Sequence, residues 1–205
     1  MYVTPQQMRE LERLTFKAGI SYAEMMGNAG KALAEFVIKN YHAVNKILLI
    51  AGNGNNGGDC YVAAYYLKAE GKTVQILTPL GEPKTEISKQ ARNRAEQAGI
   101  NIISERDSFL EEAELVIDGI FGTGFRGELP EEIQTLLKPR ANQIRIACDI
   151  PSGGNGATGC GNCQWSTRDR HTKGRAHCGH SQRRQYRHSL SCLASDPHGH
   201  YCRKR

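Results

Sequence analysis

Residues 52–59 read GNGNNGGD and follow directly on the apolar run KILLIA at residues 46–51. A short continuous apolar run is typical of a parallel strand that is covered on both faces. The glycines lack Cβ atoms, so their backbone N–H groups can turn toward an anion, and the helix predicted at residues 61–70 adds positive potential. The loop is neither the dinucleotide fingerprint nor a Walker loop, because it has no Lys followed by Ser or Thr. We interpret the stretch as a strand–loop–helix unit that handles a nucleotide.

Strands and helices alternate in the chain outward from this unit. Apolar runs predict further strands at residues 73–77, 101–104, 115–118 and 144–149, and helical spacing predicts helices at residues 84–98 and 130–138. Two helices come first, from Thr4 to Gly19 and from Ser21 to about Asn40. Gly27 and Gly30 fall inside the second helix, where close approach to another backbone would explain them. The alternation predicts an α/β fold with right-handed crossovers and a parallel sheet that has helices on both faces.

Three of the predicted strands end in loops rich in glycine and in acid or amide side chains, at residues 52–59, 118–128 and 149–153. In an open parallel sheet, ligands bind outside the carboxyl ends of the strands, so we expect the three loops to share one crevice. Asp118 or Asp149 alone could simply cap a turn. Together, near the Asn-rich loop, they favour a cation, a ribose or a proton in transit. Such oxygen ligands suit an alkali or alkaline-earth ion better than zinc.

Composition divides the chain into two parts. The 205 residues carry a net charge of +6, but residues 154–205 alone carry +8, which leaves −2 for the first 153 residues. The near-neutral charge of the first 153 residues argues against nucleic acid as a partner.

No apolar run reaches the roughly 20 residues that cross a bilayer, and no secretory leader is recognisable at the N-terminus. We therefore expect no membrane attachment and a cytoplasmic location.

The motifs together resemble a known family. The segments at residues 51–59, 118–124 and 149–153 occur in the order and at the spacing of the NAD(P)H-hydrate epimerases, also called the YjeF N-terminal domain. The N-terminal helical pair, with Met25, Met26, Asn28 and Ala29, is similar too. The resemblance implies a Rossmann-like domain, over residues 1–159, that is usually a homodimer. It also implies an isomerase that interconverts the R and S epimers of hydrated NADH and NADPH (NAD(P)HX), alongside a dehydratase that repairs only the S form.

The resemblance also implies roles for individual residues. The residues that would ligate one potassium ion per subunit are Asn56, Asp118 and Ser152. The residues that would contact the substrate are Asn55, Asn56, Gly57, Gly58, Asp59, Gly122, Thr123, Gly124, Phe125, Arg126, Gly127, Glu128 and Asp149. Among these, Gly122 to Glu128 would wrap the phosphates and Asp149 would reach the nicotinamide end.

The reaction needs a proton to be added to or taken from the reduced ring while the ring opens or closes to water. We assign this acid–base role to Asp149, whose pKa a neighbouring cation and backbone dipoles could tune. Arg126 is the predicted charge partner of a phosphate, although it could also be a solvated loop cation.

Two other functions stay open at this stage. One is a non-catalytic scaffold of the same fold, but Asn56, Asp118, Asp149 and Ser152 are all present, which favours an enzyme. The other is a nicotinamide or flavin oxidoreductase. The missing dinucleotide fingerprint, and the missing acid about 20 residues later for the ribose, argue against it.

The resemblance runs to about residue 153. Residues 155–159 still fit the family pattern, and residues 160–205 form a basic tail rich in Cys and His. Its composition cannot bury enough apolar surface to offset ordering, so we expect disorder. Two weaker interpretations of the tail are a nucleic-acid arm at residues 183–187 and a zinc site at Cys160, Cys163, His171, His177 and Cys178.

We favour a shifted reading frame as the origin of the tail. If the coding sequence is read one nucleotide later, residues 172–176 can give PKAGL and residues 180–189 can give TANGANTGT. The domain would then lack its last strand and helix, and any dehydratase domain beyond them.

Overall fold

The computed structural model describes residues 5–153, and the interpretations of the tail lie outside them. The predicted α/β fold is confirmed: five parallel strands form one sheet with helices around it. The helices are α1 (Pro5–Lys17), α2 (Tyr22–Asn40), α3 (Asn55–Ala69), α4 (Glu86–Gln97), α5 (Phe109–Glu112) and α6 (Glu131–Leu136). The strands are β1 (Lys46–Ala51), β2 (Thr73–Leu77), β3 (Asn101–Ile103), β4 (Leu115–Gly119) and β5 (Ile144–Ala147).

The strand order β3-β2-β1-β4-β5 creates a switch point between β1 and β4. The chain first winds outward from β1 through β2 to β3 and then returns to place β4 on the other side of β1. At this point Ile50 pairs with Asp118 and Ala51 with Gly119. Crossovers leave such a pair of strands in opposite directions, which opens a crevice at their carboxyl ends. The site residues of β1 and β4 are therefore brought to the edge where a ligand is expected.

Each face of the sheet has its own apolar core. On one face, side chains such as Ile47 and Leu49 pack against α2, α3 and α4. On the other face, Leu48, Ile50 and Val116 pack against α5 and α6. Burial on both faces explains why the strands are continuous apolar runs instead of alternating ones.

Helix α2 begins with the capping box that its sequence contains. The Ser21 side chain accepts from the Glu24 N–H at 3.2 Å, and the Glu24 carboxylate accepts from the Ser21 N–H at 2.8 Å. A Cβ added to Gly30 would lie 2.7 Å from the carbonyl oxygen of Asp59 in α3, which confirms the expected close approach. The same expectation is wrong for Gly27, whose Cβ position has no atom within 4 Å.

The structure differs from the prediction at two element boundaries and in one additional helix. Helix α3 begins at Asn55, six residues before the predicted start, so most of the glycine-rich stretch is its first turn. Strand β5 ends at Ala147, two residues earlier than predicted, because Asp149 adopts a left-handed backbone with φ of 68°. The four-residue helix α5 was not predicted, since a single turn is too short to show helical periodicity. Within residues 5–153, no helix is long and apolar enough to cross a membrane.

Candidate active site

The glycine-rich loop is held by contacts between backbones. A Cβ on Gly57 would collide with the carbonyl group of Gly52, and a Cβ on Gly52 would collide with the carbonyl group of Ile120. Gly52 donates a hydrogen bond from its N–H to the Gly119 carbonyl at 3.0 Å. The start of α3 thus packs directly on the ends of β1 and β4. Gly54 caps the helix without a side-chain hydrogen bond, so the first N–H groups of α3 have no side-chain cap.

Asp118 and Ser152 form a buried hydrogen-bonded pair between the loops after β4 and β5. Ser152 donates from its Oγ to Asp118 Oδ1 at 2.6 Å and from its N–H to Oδ2 at 2.7 Å. The Ile120 N–H donates to Oδ1 at 3.2 Å, and Ser152 Oγ accepts from the Phe121 N–H at 2.9 Å. Burial raises the pKa of the Asp118 carboxyl, and the bonds from Ser152 and Ile120 offset only part of this rise.

Asp149 lies at the mouth of the crevice in a conformation that few residues adopt. Its φ of 68° falls in the left-handed region, which Asp and Asn tolerate better than most side chains do. Its Oδ2 atom accepts from the Thr123 N–H at 2.9 Å, which joins the loop after β5 to the loop after β4. Burial raises the pKa of the Asp149 carboxyl, and the bonds to Thr123 lower it in part. A strained backbone beside a perturbed acid is typical of functional sites.

Asn56 brings an amide group to the same place. Its Oδ1 and Nδ2 atoms are both buried, and neither has a hydrogen-bond partner among residues 5–153. A Cβ built on Gly122 would lie 3.5 Å from Asn56 Cγ and 2.7 Å from Asp149 Oδ2. Gly122 therefore lies between the amide and the carboxylate. Buried amides without partners are rare and call for an explanation such as a bound ligand or ion.

A carboxylate cluster surrounds this point, and the sequence predicted only part of it. Burial raises the pKa of Asp59 well above its ordinary value, and the charges of Asp149 and Glu12 raise it further. Burial also raises the pKa of Glu12, with a contribution from the charge of Asp149. Glu12 belongs to α1, which carries no recognisable motif. Only the folded chain shows that the charge of Glu12 acts on the acids of the site.

The remaining predicted substrate residues are less closely grouped. The Asn55 Oδ1 atom accepts from Thr85 Oγ at 2.8 Å, so this side chain faces α4. Gly58 is buried against Met26 and Ser88, where a Cβ would not fit. The Arg126 guanidinium donates to the carbonyls of its own loop, at Thr123 and Phe125, over 3.1 and 2.8 Å.

The other residues of the loop lie mostly at the surface. Gly124, Gly127 and Glu128 are exposed, while Phe125 stacks on Phe121 with ring centroids 4.2 Å apart. The phosphate-binding role of residues 122–128 stays a prediction. Since Arg126 is exposed, its guanidinium has room to turn toward a ligand at the rim of the crevice.

Comparison with known proteins gives a consistent picture. The chain matches the family described as YjeF-related protein N-terminus over residues 22–165. It is 33% identical to an NAD(P)H-hydrate epimerase of Limosilactobacillus fermentum over 161 residues, which cover 77% of each chain. An NAD(P)H-hydrate epimerase of Bordetella pertussis is 36% identical over 159 residues, which cover 75% of this chain and 67% of the relative.

Longer relatives and a solved structure also match. A bifunctional NAD(P)H-hydrate repair enzyme of Pyrobaculum aerophilum is 34% identical over 169 residues, which cover 77% of this chain but 33% of that protein. The chain therefore spans about a third of the length of the bifunctional relatives that it matches. The crystal structure of yeast ynu0 superposes with a TM-score of 0.67 at 23% identity, covering 76% of this chain and 72% of that one. This likeness shows that the fold is shared.

Proposed function

The chain belongs to the family of YjeF-related protein N-termini, and on this basis we propose that it is an NAD(P)H-hydrate epimerase. Its substrates would be the R and S forms of hydrated NADH and NADPH, in which water has added to the reduced nicotinamide ring. Two relatives that carry this name are covered by the chain over 77% and 67% of their length. Conversion of R to S would let a dehydratase that acts only on the S form repair both.

The observation that carries this proposal is the convergence of three loops on one point. Asn56 starts α3 after β1, Asp118 ends β4, and Asp149 and Ser152 follow β5. Hydrogen bonds link Asp118 to Ser152 and Asp149 to the loop after β4, and Gly122 lies between Asp149 and the Asn56 amide. An acid, a buried carboxylate and an amide that has no partner within residues 5–153 are suited to bind a nucleotide and to move a proton.

Asp149 is the group to which we assign the proton transfer. Because burial raises the pKa of this carboxyl, it exchanges its proton closer to neutral pH than an exposed Asp does. The Thr123 N–H donates to Oδ2 and so holds the carboxylate in one orientation. Asp59 and Glu12 add negative charge nearby, and this charge favours a proton on the cluster.

The donor set at Asn56, Asp118 and Ser152 fits the potassium ion that the family resemblance implies. Asn56 Oδ1 is a buried acceptor without a partner in the described residues, and such an oxygen is a suitable ligand for a hard cation. Asp118 Oδ2 accepts one hydrogen bond from Ser152, so it retains acceptor capacity. The ion would supply positive charge that stabilises the carboxylate form of Asp118 and attracts the anionic substrate.

Thermal unfolding in KCl, NaCl and choline chloride at equal ionic strength tests the ion. We expect KCl alone to raise the midpoint, by an amount that corresponds to about 2.7 kcal/mol when the ion is at 100 times its Kd. Asn56→Ala should lose this shift, while Asn53→Ala should keep it, because the Asn53 amide donates to Leu80 O outside the donor set. Equal shifts in all three salts, or an unchanged shift in Asn56→Ala, would contradict a potassium site.

We also propose that the protein acts as a homodimer and in partnership with a dehydratase. Helix α1 and the residues after it expose Leu11, Leu14, Phe16 and Tyr22, with 42–51% of each surface accessible. A group of exposed large apolar side chains favours association. Light scattering should give twice the chain mass, and Leu14→Lys should give the monomer mass. A monomer at micromolar concentration in the parent protein would refute the dimer.

The experiment that tests the function mixes the purified protein with R-NADHX and an S-specific dehydratase. We expect the R form to be consumed faster than its spontaneous epimerisation allows. Circular dichroism confirms that the protein is folded. A folded protein that gives no acceleration would refute the assignment.

A further inference from the structure

Two cysteines lie in one apolar core next to the candidate site, and the proposed reaction uses neither of them. Cys60 is in α3 directly after Asp59, and Cys148 follows β5 directly before Asp149. Both are free thiols, and both are buried, with 0% and 7% of their surface exposed. They belong to the same apolar core although they are far apart in the sequence.

The fold places both cysteines beside the end of β4. The Cys60 sulfur fills the space above Gly119 in β4, where a Cβ would collide with it. Strand β4 pairs with β5, with Asp118 opposite Ala147, so the residue after Ala147 comes next to this sulfur. The neighbouring Cys60 thiol and burial raise the pKa of the Cys148 thiol.

We propose that Cys60 and Cys148 form a reversible disulfide with hydrogen peroxide and that this bond suppresses the neighbouring site. One thiol attacks peroxide, which gives a sulfenic acid and releases one water molecule. The other thiol attacks the sulfenic sulfur, forms the S–S bond and releases a second water molecule. Two electrons pass from the sulfur atoms to the peroxide. Cys148 retains a small exposed surface, and β5 is the edge strand of the sheet within residues 5–153, which gives the oxidant a route.

The bond would disturb the site because its anchors are adjacent to site residues. A disulfide brings the two sulfur atoms to about 2.05 Å, closer than two unbonded sulfur atoms can approach. The shorter distance between the sulfur atoms pulls on Asp59 and Asp149, because each of these residues is joined to one of the cysteines by a peptide bond. Asp149 already has a left-handed backbone, and the Cys148 N–H donates to the Asp118 carbonyl at 2.8 Å. A displacement of Cys148 therefore acts on Asp149 and on the backbone of Asp118 in β4.

The test uses the full chain with the five cysteines of residues 160–202 replaced by Ser, so that only Cys60 and Cys148 remain. After peroxide treatment and alkylation, trypsin should release residues 47–68 joined to residues 146–168, and dithiothreitol should separate them. The matched control, Cys148→Ser in the same background, should give no joined fragment. Because buried thiols with little thiolate react slowly, we expect the joined fragment to form more slowly than surface thiols are oxidised.

The effect on the site is read in two ways. Hydrogen exchange in residues 146–153 should change on oxidation and recover on reduction, which does not depend on the proposed function. Epimerase activity, which does rest on that function, should fall by about 100-fold and recover, as expected for a misplacement of about 1 Å. Absence of the joined fragment from folded, peroxide-treated protein would overturn the proposal. So would a joined fragment with unchanged exchange at residues 146–153. If the reduced protein is inactive but hydrogen exchange at residues 146–153 still changes on oxidation, the result would instead count against the epimerase assignment.

Discussion

Replacing Asp149 by Asn removes the proposed proton-transfer group and leaves the surrounding structure almost unchanged. Asn tolerates the φ of 68° as Asp does, and its amide oxygen can still accept from the Thr123 N–H. Because this hydrogen bond is kept, we expect the free energy of unfolding to change by less than about 1 kcal/mol, the typical contribution of one hydrogen bond. A positioned acid–base group contributes about 10²–10⁴-fold to a rate, so epimerisation should slow by that factor.

Asp149→Ala provides the contrast. This variant loses the hydrogen bond, worth about 0.5–1.5 kcal/mol, and places Ala in the left-handed region at about 1–2 kcal/mol. Together these costs lower the thermal midpoint by roughly 3–14 °C for a chain of this size. Asp149→Asn should unfold close to the parent midpoint and Asp149→Ala should not, while both lose activity.

The assay is consumption of R-NADHX in the presence of an S-specific dehydratase, with thermal unfolding measured on the same samples. Full activity in a folded Asp149→Asn protein would refute the catalytic assignment. Unfolding of Asp149→Asn at the temperature of the Ala variant would refute the account of its backbone.

Further substitutions test the packing and the electrostatics. Gly30→Ala should lower the free energy of unfolding by about 1–3 kcal/mol, because the added Cβ meets Val62 and the α3 backbone. Gly27→Ala in the same helix should raise it by about 0.5–1 kcal/mol. Urea unfolding measures both changes, and equal effects of the two substitutions would contradict the packing. Ser152→Ala should lower the free energy of unfolding by roughly 2–4 kcal/mol, because it leaves the Phe121 N–H without its acceptor and removes one of the two hydrogen bonds to Asp118 Oδ1. A midpoint equal to the parent's would count against this network. Because the folded state raises the pKa of Asp59, its contribution to stability is full below the ordinary carboxyl range and is lost as pH rises. Asp59→Asn should therefore gain stability relative to the parent as the pH rises from the ordinary carboxyl range to neutrality, and a constant difference across that range would show that the pKa is not raised.

The sheet was predictable because its strands leave a simple pattern. The runs that became β1 and β2 are continuous and apolar, are bounded by loop residues, and have the predicted limits. The convergence of Asp118 and Asp149 followed from one rule about the carboxyl ends of parallel strands. Both acids are found at that edge, and each is tied to a neighbouring loop.

The parts that were missed depend on contacts between distant residues. Asn and Gly are poor helix formers, so the sequence placed the start of α3 after Asp59, but packing of Gly57 on Gly52 forms the helix at Asn55. The early end of β5 results from the left-handed backbone of Asp149, which no local pattern announces. Glu12 carries no motif, and its influence on Asp59 appears only when α1 is folded beside the site.

The most direct test of the central claim follows the epimers themselves without a coupling enzyme. Pure S-NADHX and pure R-NADHX are incubated separately with the purified, folded protein, and the two forms are separated by chromatography over time. We predict that both samples reach the same R to S ratio far sooner than samples without protein, and that Asp149→Asn removes this acceleration. Approach to the ratio at the spontaneous rate from both sides would contradict the account.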